Sequence, residues 1–441
     1  MRSRTIGLIW TITAIFLCLP ELSFAQTQDD LFNGDILQEV RLYINPQDWE
    51  TFHYTNFTCE DQELEALAGA VISPVPRVEC HFAVEFHWIF QGKDITVPDV
   101  DLSSHGKGSR SNIKPSFKIE FSRYESQLNF LGLKYLVLRA NTQDASEMHE
   151  RLAMEFFRKL GMPAPREVHA KVYINDQYAG VYSLVEDVVD DEFLQRNFGE
   201  TNGYLYSYEY TFPWDYHWLG EDGSNYSPLE YKPQNHDTDY QVGPLVEMVR
   251  TINNAPDSGY SAALAQYIDT NALFRELAAE NYIGEQDGLV GDYLLNNHYI
   301  YRFANTVRHT YVPWDKSNTF WSLDRGVLHN MTSNVLYRRA LADSPDLMAV
   351  YKNTMLQAAD VAGGLGGWLD QEIQKIYQQI HQAVYDDTLK LCDETASGTL
   401  HPCSNDEFEA DVARIQQFAQ QRADQMRSQV AGAVAQGLLP Q

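Results

Sequence analysis

Strand-like and helix-like stretches do not alternate along this chain; they are sorted. "EVRLYI" (Glu39–Ile44) has the period of a strand, and Pro46-Gln47-Asp48 turns it into a short helix toward Phe52. "VECHFAVEFHWIF" (Val78–Phe90) alternates again. In "PSFKIEF" (Pro115–Phe121), Phe117, Ile119 and Phe121 fall on one face and Ser116, Lys118 and Glu120 on the other, as in a half-buried strand. "LKYLVLRA" (Leu133–Ala140) is a further strand. One helix interrupts the series. Asp144 with Glu147 three residues on resembles a capping box, Met148, Leu152, Phe156 and Leu160 recur at spacing four, and Gly161 then Pro163 stop it. A hairpin follows, "AKVYI" and "VYSLVE" around "NDQYAG", then a helix in "DDEFLQRNFG". The middle, Tyr204 to Pro244, is irregular and rich in aromatics, Asp, Gly and Asn. Beyond it come the helices "PLVEMVRTINNA" and "NALFRELAAENYIG", a strand "TYVPWD" ending on Asp315 and, from Asp343, a largely helical remainder. Strands first and helices later argue α+β, not alternating α/β.

The chain has 441 residues and 44% apolar content, enough for one large domain or two ordinary ones with a real core. Its formal net charge of −28 repels a phosphate backbone and anionic lipid, which argues against a nucleic-acid partner. A bound polyphosphate would need local cations or a metal ion.

The first 25 residues differ from the rest. Arg2 and Arg4 precede the apolar "IGLIWTITAIFLCLP", and the small-residue "SFA" stands before Gln26. This is the pattern of a secretory signal peptide, and it predicts a secreted or extracytoplasmic protein, in a periplasm or at a cell surface. No later run is long and apolar enough to span a bilayer, so no membrane span is expected after cleavage. Cleavage leaves Cys59, Cys80, Cys392 and Cys403. An even count in an exported chain suggests disulfides, and of three connectivities the local one, Cys59–Cys80 with Cys392–Cys403, is preferred.

Two stretches carry residues suited to chemistry. "HGKGSRSNIKPSFK" (His105–Lys118) sets glycines beside Lys107, Arg110, Lys114 and Lys118, as a phosphate-approaching loop does; a solvated turn has the same composition. "EQDGLVGDYLLNNHY" and "TYVPWD" bring Asp287, Asn296, Asn297 and Asp315 onto neighbouring loops. Carboxylates and amides are hard oxygen ligands, suited to Mg²⁺ or Mn²⁺ with a polyphosphate. Taken singly, Asp287-Gly288 is also a turn and Asp315 a turn initiator. No GxSxG elbow occurs, and the even cysteines argue against a thiol nucleophile. Trp214, Tyr216 and Trp218 suit a sugar platform or, at this composition, a packed aromatic cluster.

Together with "LRANTQDASEMHERLA", "VYINDQYAGVYSLVEDVVDDEF" and "LEYKPQN", these stretches resemble the spore coat protein H (CotH) family of kinase-like proteins, over roughly Glu39 to Asn330. The resemblance implies an atypical protein-kinase-like two-lobe fold, with a β-rich first lobe, a helical second lobe and ATP between them. It implies a signal peptide at 1–25, a linker at 26–38, a kinase-like domain at 39–330 and a helical part at 331–441 packed on the same domain. Arg110 and its glycines would line the phosphates, and Lys118, or second Lys114, would contact them. The helix Asp144–Leu160 would take the αC position, with Glu150 or Glu147 orienting the lysine. "YSLVEDV" would be the hinge beside the adenine, with Glu186 in it. Asp287 matches the catalytic aspartate, Asn297 (or Asn296) a metal-binding amide and Asp315 the aspartate that holds Mg²⁺. The chain departs from the family pattern at His105, Pro115 and Gln286, and at Ser317, which replaces the second acid of "WDxD". The implied function is an ATP- and Mg²⁺-dependent transferase that phosphorylates Ser/Thr of an exported or surface protein. The alternatives are a non-catalytic surface or adhesion protein of the same fold, or a kinase-fold enzyme doing AMP transfer or glutamate ligation.

Overall fold

A computed structural model describes residues 26–441 apart from 69–77, 79, 210–214, 229, 237, 240 and 394–398; the signal-like leader and Trp214 lie outside the described residues. A helical turn, α1 (Gln28–Leu31), leads into seven strands: β1 (Gln38–Ile44), β2 (His81–Phe90), β3 (Lys93–His105), β4 (Ser116–Glu120), β5 (Tyr135–Arg139), β6 (Glu167–Ile174) and β7 (Gln177–Glu186). Helix α2 (Pro46–Ala68) is inserted after β1 and helix α3 (His149–Lys159) after β5. The strands close into a barrel in the order β1-β2-β3-β4-β5-β7-β6. Neighbours are antiparallel except β1 and β6, which pair in parallel, Val40 opposite Val172, and close the ring. Alternation fills the interior with Val40, Leu42, Trp88, Phe117, Ile119, Leu136, Leu138 and Leu184, all buried. The buried Trp88 indole donates to Gln38 Oε1 at 2.9 Å, which satisfies its polar end.

The remainder is mostly helical: α4 (Asp191–Phe198), α5 (Gly243–Asn254), α6 (Tyr260–Leu264), α7 (Thr270–Ile283), α8 (Val335–Asp343), α9 (Pro345–Ala362), α10 (Trp368–Asp386) and α11 (Asn405–Ala435). Short strands β8 (Tyr204–Tyr208), β9 (Tyr231–Pro233), β10 (His298–Arg302) and β11 (His309–Pro313) form a sheet in the order β11-β10-β8-β9, and β12 (Leu391–Cys392) pairs with β13 (His401–Pro402). The fold class is α+β. One core joins Leu152 and Phe156 of α3 to Leu277 of α7, Tyr351 of α9 and Phe418 of α11, so the helices after residue 331 share it. No described helix is long and apolar enough to cross a membrane.

Several boundaries differ from the expectations. Residues 26–38, expected as a linker, carry α1, whose Thr27–Asp30 capping box is complete and whose Leu31 packs in the barrel core. The short helix after Pro46 runs for 23 residues. The helix expected from Asp144 starts at His149, because Glu147 has φ +61°, outside helical space. Asp144 instead closes the turn before it, accepting from Ser146 N (2.9 Å) and His149 N (2.6 Å). Strand β3 escaped the period-two reading because Pro98 interrupts it. Pro98 lies beside Asp99 (φ +52°) where the β2–β3 register shifts, and a bulge needs no ladder N–H there. Both disulfides have the local pairing, Cys59–Cys80 with Cα atoms 5.7 Å apart and Cys392–Cys403 at 5.1 Å.

Candidate active site

Strands β10 and β11 pair with His298 opposite Pro313, so Asn297 and Trp314 flank the open end of their ladder; Trp314 N donates to Asn297 O at 3.3 Å. Asn297 and Asp315 both have φ +49°, a strained conformation for residues with a Cβ. Asp287 follows α7, whose C-terminus is closed by Gly284 in the left-handed region (φ +70°). Two amides grip it: Asn296 Nδ2 donates to Oδ1 (2.9 Å), and Asn297 Nδ2 donates to Oδ2 (3.0 Å) and to the backbone O (2.8 Å). With those nitrogens committed, the oxygen is what each amide has to offer a cation. Burial pushes the Asp287 carboxyl up to about 6, with the Asp315 charge adding and the amides opposing.

The facing wall is the outside of the barrel. Phe117 and Ile119 point inward, so Lys118 points out, and register puts Ser103 and Val137 beside it. Lys118 Nζ lies 2.7 Å from Asp187 Oδ2 and 4.7 Å from the centre of the Tyr135 ring. Arg139, closing β5, bridges two carboxylates: Glu150 Oε1 of α3 at 2.8 Å and Asp315 Oδ1 at 2.6 Å. Ser317 Oγ donates to the same Asp315 oxygen at 3.0 Å. Burial pushes Asp315 up, but Arg139 and Ser317 outweigh it and hold the carboxyl below its usual value. Burial likewise opposes the charge on Arg139, and Asp315 and Glu150 outweigh it. Glu150 is pushed well up by burial, with Glu167 and Asp315 adding to it and Arg139 opposing. His105, with Trp314 edge-on at 6.2 Å, is pushed down to about 3 by burial and by the positive charges of Arg139 and Lys118, so it is neutral. Lys118 and Asp315 stay partly open to water, with side chains 29% and 26% exposed, and Asp287 is likewise half-buried.

Beneath the loops, alternation sends the next residue the other way. Lys316 is fully buried; its Nζ donates to Asn297 O (2.9 Å) and lies 2.8 Å from Glu280 Oε1. Glu285 Oε1 accepts from Asp287 N at 2.7 Å. From the side, His149 Nδ1 lies 3.0 Å from Ser317 O. Asp144, His149 and Asp411 form a buried group of metal-ligand type, but a cation already serves it: Arg414 pairs with Asp411 and reaches within 3.3 Å of His149 Nε2.

Lys118, Glu150, Asp287, Asn297 and Asp315 therefore converge, with Arg139 as the link. The lysine expected first, Lys118, pairs with Asp187, and Glu150 pairs with Arg139; the second choice, Lys114, does pair with one of the two expected glutamates, Glu147, at 3.2 Å. Three other expected residues make their contacts elsewhere. Lys114 is fully buried between Asp387 Oδ2 (2.9 Å) and Glu147 Oε1 (3.2 Å). Arg110 is buried and donates to Gly106 O (2.6 Å), Asn56 O (2.9 Å) and Ser104 Oγ (2.7 Å). Glu186 points to the barrel-interior side, opposite Leu136, and is enclosed by Arg166 and Arg196. A groove of about 630 Å³ beside those arginines is lined by residues 26–29 and lies apart from the Asp287–Asp315 cluster. The sequence reading missed Arg139 and Asp187. The available signal was charge at the end of an apolar run, one residue in "LVLR" and two in "LVED".

The residues present fit a divalent cation: Asp315, partly open to water, and Asn297, whose amide nitrogen is committed to Asp287, offer hard oxygens on neighbouring loops. Barrel and helical half define an α+β protein in which Asp287, Asn297 and Asp315 meet on neighbouring loops. The chain belongs to the CotH kinase protein family, whose model matches residues 102–426. It is 25% identical over 238 residues to the inner spore coat protein H of Bacillus subtilis (strain 168), covering 51% of this chain and 60% of that relative's length. Among solved structures it is similar to the Helicobacter pylori proinflammatory kinase CtkA (10% identity, 73% of this chain and 95% of that one, TM-score 0.31). It is also similar to a HipA–HipB–operator DNA complex of Shewanella oneidensis MR-1 (10% identity, 89% and 73%, TM-score 0.32).

Proposed function

We propose that this chain is an ATP-dependent kinase-like transferase that uses Mg²⁺ or Mn²⁺ and modifies Ser/Thr residues of an exported or surface protein. In this reading the barrel and the helical half are the two lobes of an atypical kinase. The observation that carries it is the meeting of Asp287, Asn297 and Asp315 opposite the Arg139–Glu150 pair. Protein kinases set a cation of the strand before αC against an αC glutamate, and an Asp and an Asn on the metal. Here α3 follows β5, and Arg139 and Glu150 stand in that relation. Asp315 and Asn297 would hold the cation, whose charge would offset that of the phosphates. Lys118 and Arg139 orient the polyphosphate. Asp287, with its raised carboxyl, takes the proton of the acceptor hydroxyl. The two disulfides and the likeness to a spore coat protein support a place outside the cytoplasm.

The test combines thermal shift with product mass spectrometry. ATP with Mg²⁺ or Mn²⁺ raises the melting temperature, and a protein acceptor gains the mass of a phosphate. A gain of AMP or glutamate would reassign the reaction within the same fold. One observation favours a binding-only protein: Arg139 already pairs with Asp315, and Ser317 supplies no second acid. That reading predicts neither a shift nor a product.

A further inference from the structure

The loop between β3 and β4 is tied on one side through Ser109, Lys107 and Lys114 to Thr142, Glu209, Glu147 and Asp387, and on its other side by an element outside the region that the family model matches. Asn56 lies on α2, is only 2% exposed, and directs its side chain and backbone carbonyl at this loop. Its Nδ2 donates to Ser111 O (3.0 Å) and Asn112 Oδ1 (3.1 Å), and its Oδ1 accepts from Ser104 Oγ. Its backbone O accepts from Arg110 NH1 at 2.9 Å. The same guanidinium donates to Ser104 Oγ (2.7 Å) and Gly106 O (2.6 Å), so Arg110 ties the glycine turn to α2.

Helix α2 is itself fixed at two places. Trp49 and Phe52 pack on Phe117 of β4, with ring centres 6.2 and 5.5 Å away. One turn past Asn56, Cys59 is bonded to Cys80, and Gln62 exchanges hydrogen bonds with the backbone of Val78 (2.6 and 3.1 Å). Both ties join the helix to the approach to β2. A glycine-bearing loop held in one shape before a ligand arrives has less conformational entropy to lose on binding.

We propose that the loop that leaves His105, beside Trp314 at the Asp315 edge of the site, meets the nucleotide phosphates through its backbone, that Asn56 is its positioning residue, and that the Cys59–Cys80 disulfide fixes the helix that carries Asn56. This rests on the nucleotide reading above. Oxidation of one cysteine pair then governs how well the chain binds a nucleoside triphosphate.

Asn56→Ala and Cys59→Ser/Cys80→Ser are compared with the wild type by hydrogen–deuterium exchange and by titration with ATP and Mn²⁺. The inference predicts faster exchange at 106–114 in both variants, with β6 and β7 still protected. It also predicts ATP binding weaker by about tenfold to a hundredfold. Dithiothreitol, which also opens Cys392–Cys403, should loosen the loop of the wild type at least as far as the double-serine change does. Unchanged loop exchange in Asn56→Ala overturns the inference. ATP binding in the wild type that neither variant weakens overturns it while sparing the nucleotide reading. A wild type that binds no ATP overturns both.

Discussion

Asp315 presents one oxygen to two donors, Arg139 at 2.6 Å and Ser317 at 3.0 Å, while Arg139 also serves Glu150 at 2.8 Å. The guanidinium is planar and forked, so it can span two carboxylates, whereas an ammonium offers a compact point charge. Arg139→Ala leaves buried Glu150 facing Glu167 and Asp315 with no cation between them. Loss of one partner from a buried pair costs about 3–5 kcal/mol, and urea unfolding should show a loss of that size for Arg139→Ala. Arg139→Lys should fall between the variant and the wild type. A loss under about 1 kcal/mol for Arg139→Ala would mean that the network is not what holds β5 against α3. The sequence displayed Asp287, Asn297 and Asp315 because each ends or follows a readable element. It hid their partner: "LKYLVLRA" puts an arginine at a strand end, and nothing in its spacing points to Glu150 or Asp315.

Helix α7 was legible as an element and misleading as a surface. "NALFRELAAENYIG" has a helical pattern, and charged positions usually mark a solvent face. Glu276 and Glu280, one turn apart, are instead buried, and Lys316 is the cation that faces them. Burial and the Glu280 charge push Glu276 up to about 8, with Lys316 opposing. The folded chain therefore holds this proton more tightly than the unfolded chain does. Stability from Glu276 is fully present below its ordinary value of 4.5 and is lost as pH rises through 8. Glu276→Gln should remove that loss, so its melting temperature should exceed the wild type's by a margin that widens from pH 5 to pH 8.5. A margin that stays constant with pH would show that Glu276 does not titrate there. Helix α3 was misjudged at its start for a backbone reason, the positive φ of Glu147, which holds that carboxylate against Lys114.

At the scale of the molecule, the sorted order of strands and helices was enough to give α+β, and the local cysteine spacing gave both disulfides. The barrel was not legible, because its closure is the parallel pairing of β1 with β6, strands far apart in sequence with no turn between them to signal the contact. That closure presents one outer wall, with His105, Lys118 and Arg139, to the loops of the helical half. A chain of net charge −28 is a poor host for a polyphosphate unless a metal ion takes part. The most direct measurement is therefore calorimetric titration of ATP in Mn²⁺ and in EDTA. The account predicts that the wild type binds only with the metal and that Asp315→Asn weakens this binding by at least about tenfold. It predicts that Asp287→Asn binds within about threefold of the wild type yet transfers nothing to a protein acceptor. Equal binding in Mn²⁺ and EDTA, or wild-type affinity in Asp315→Asn, would contradict it.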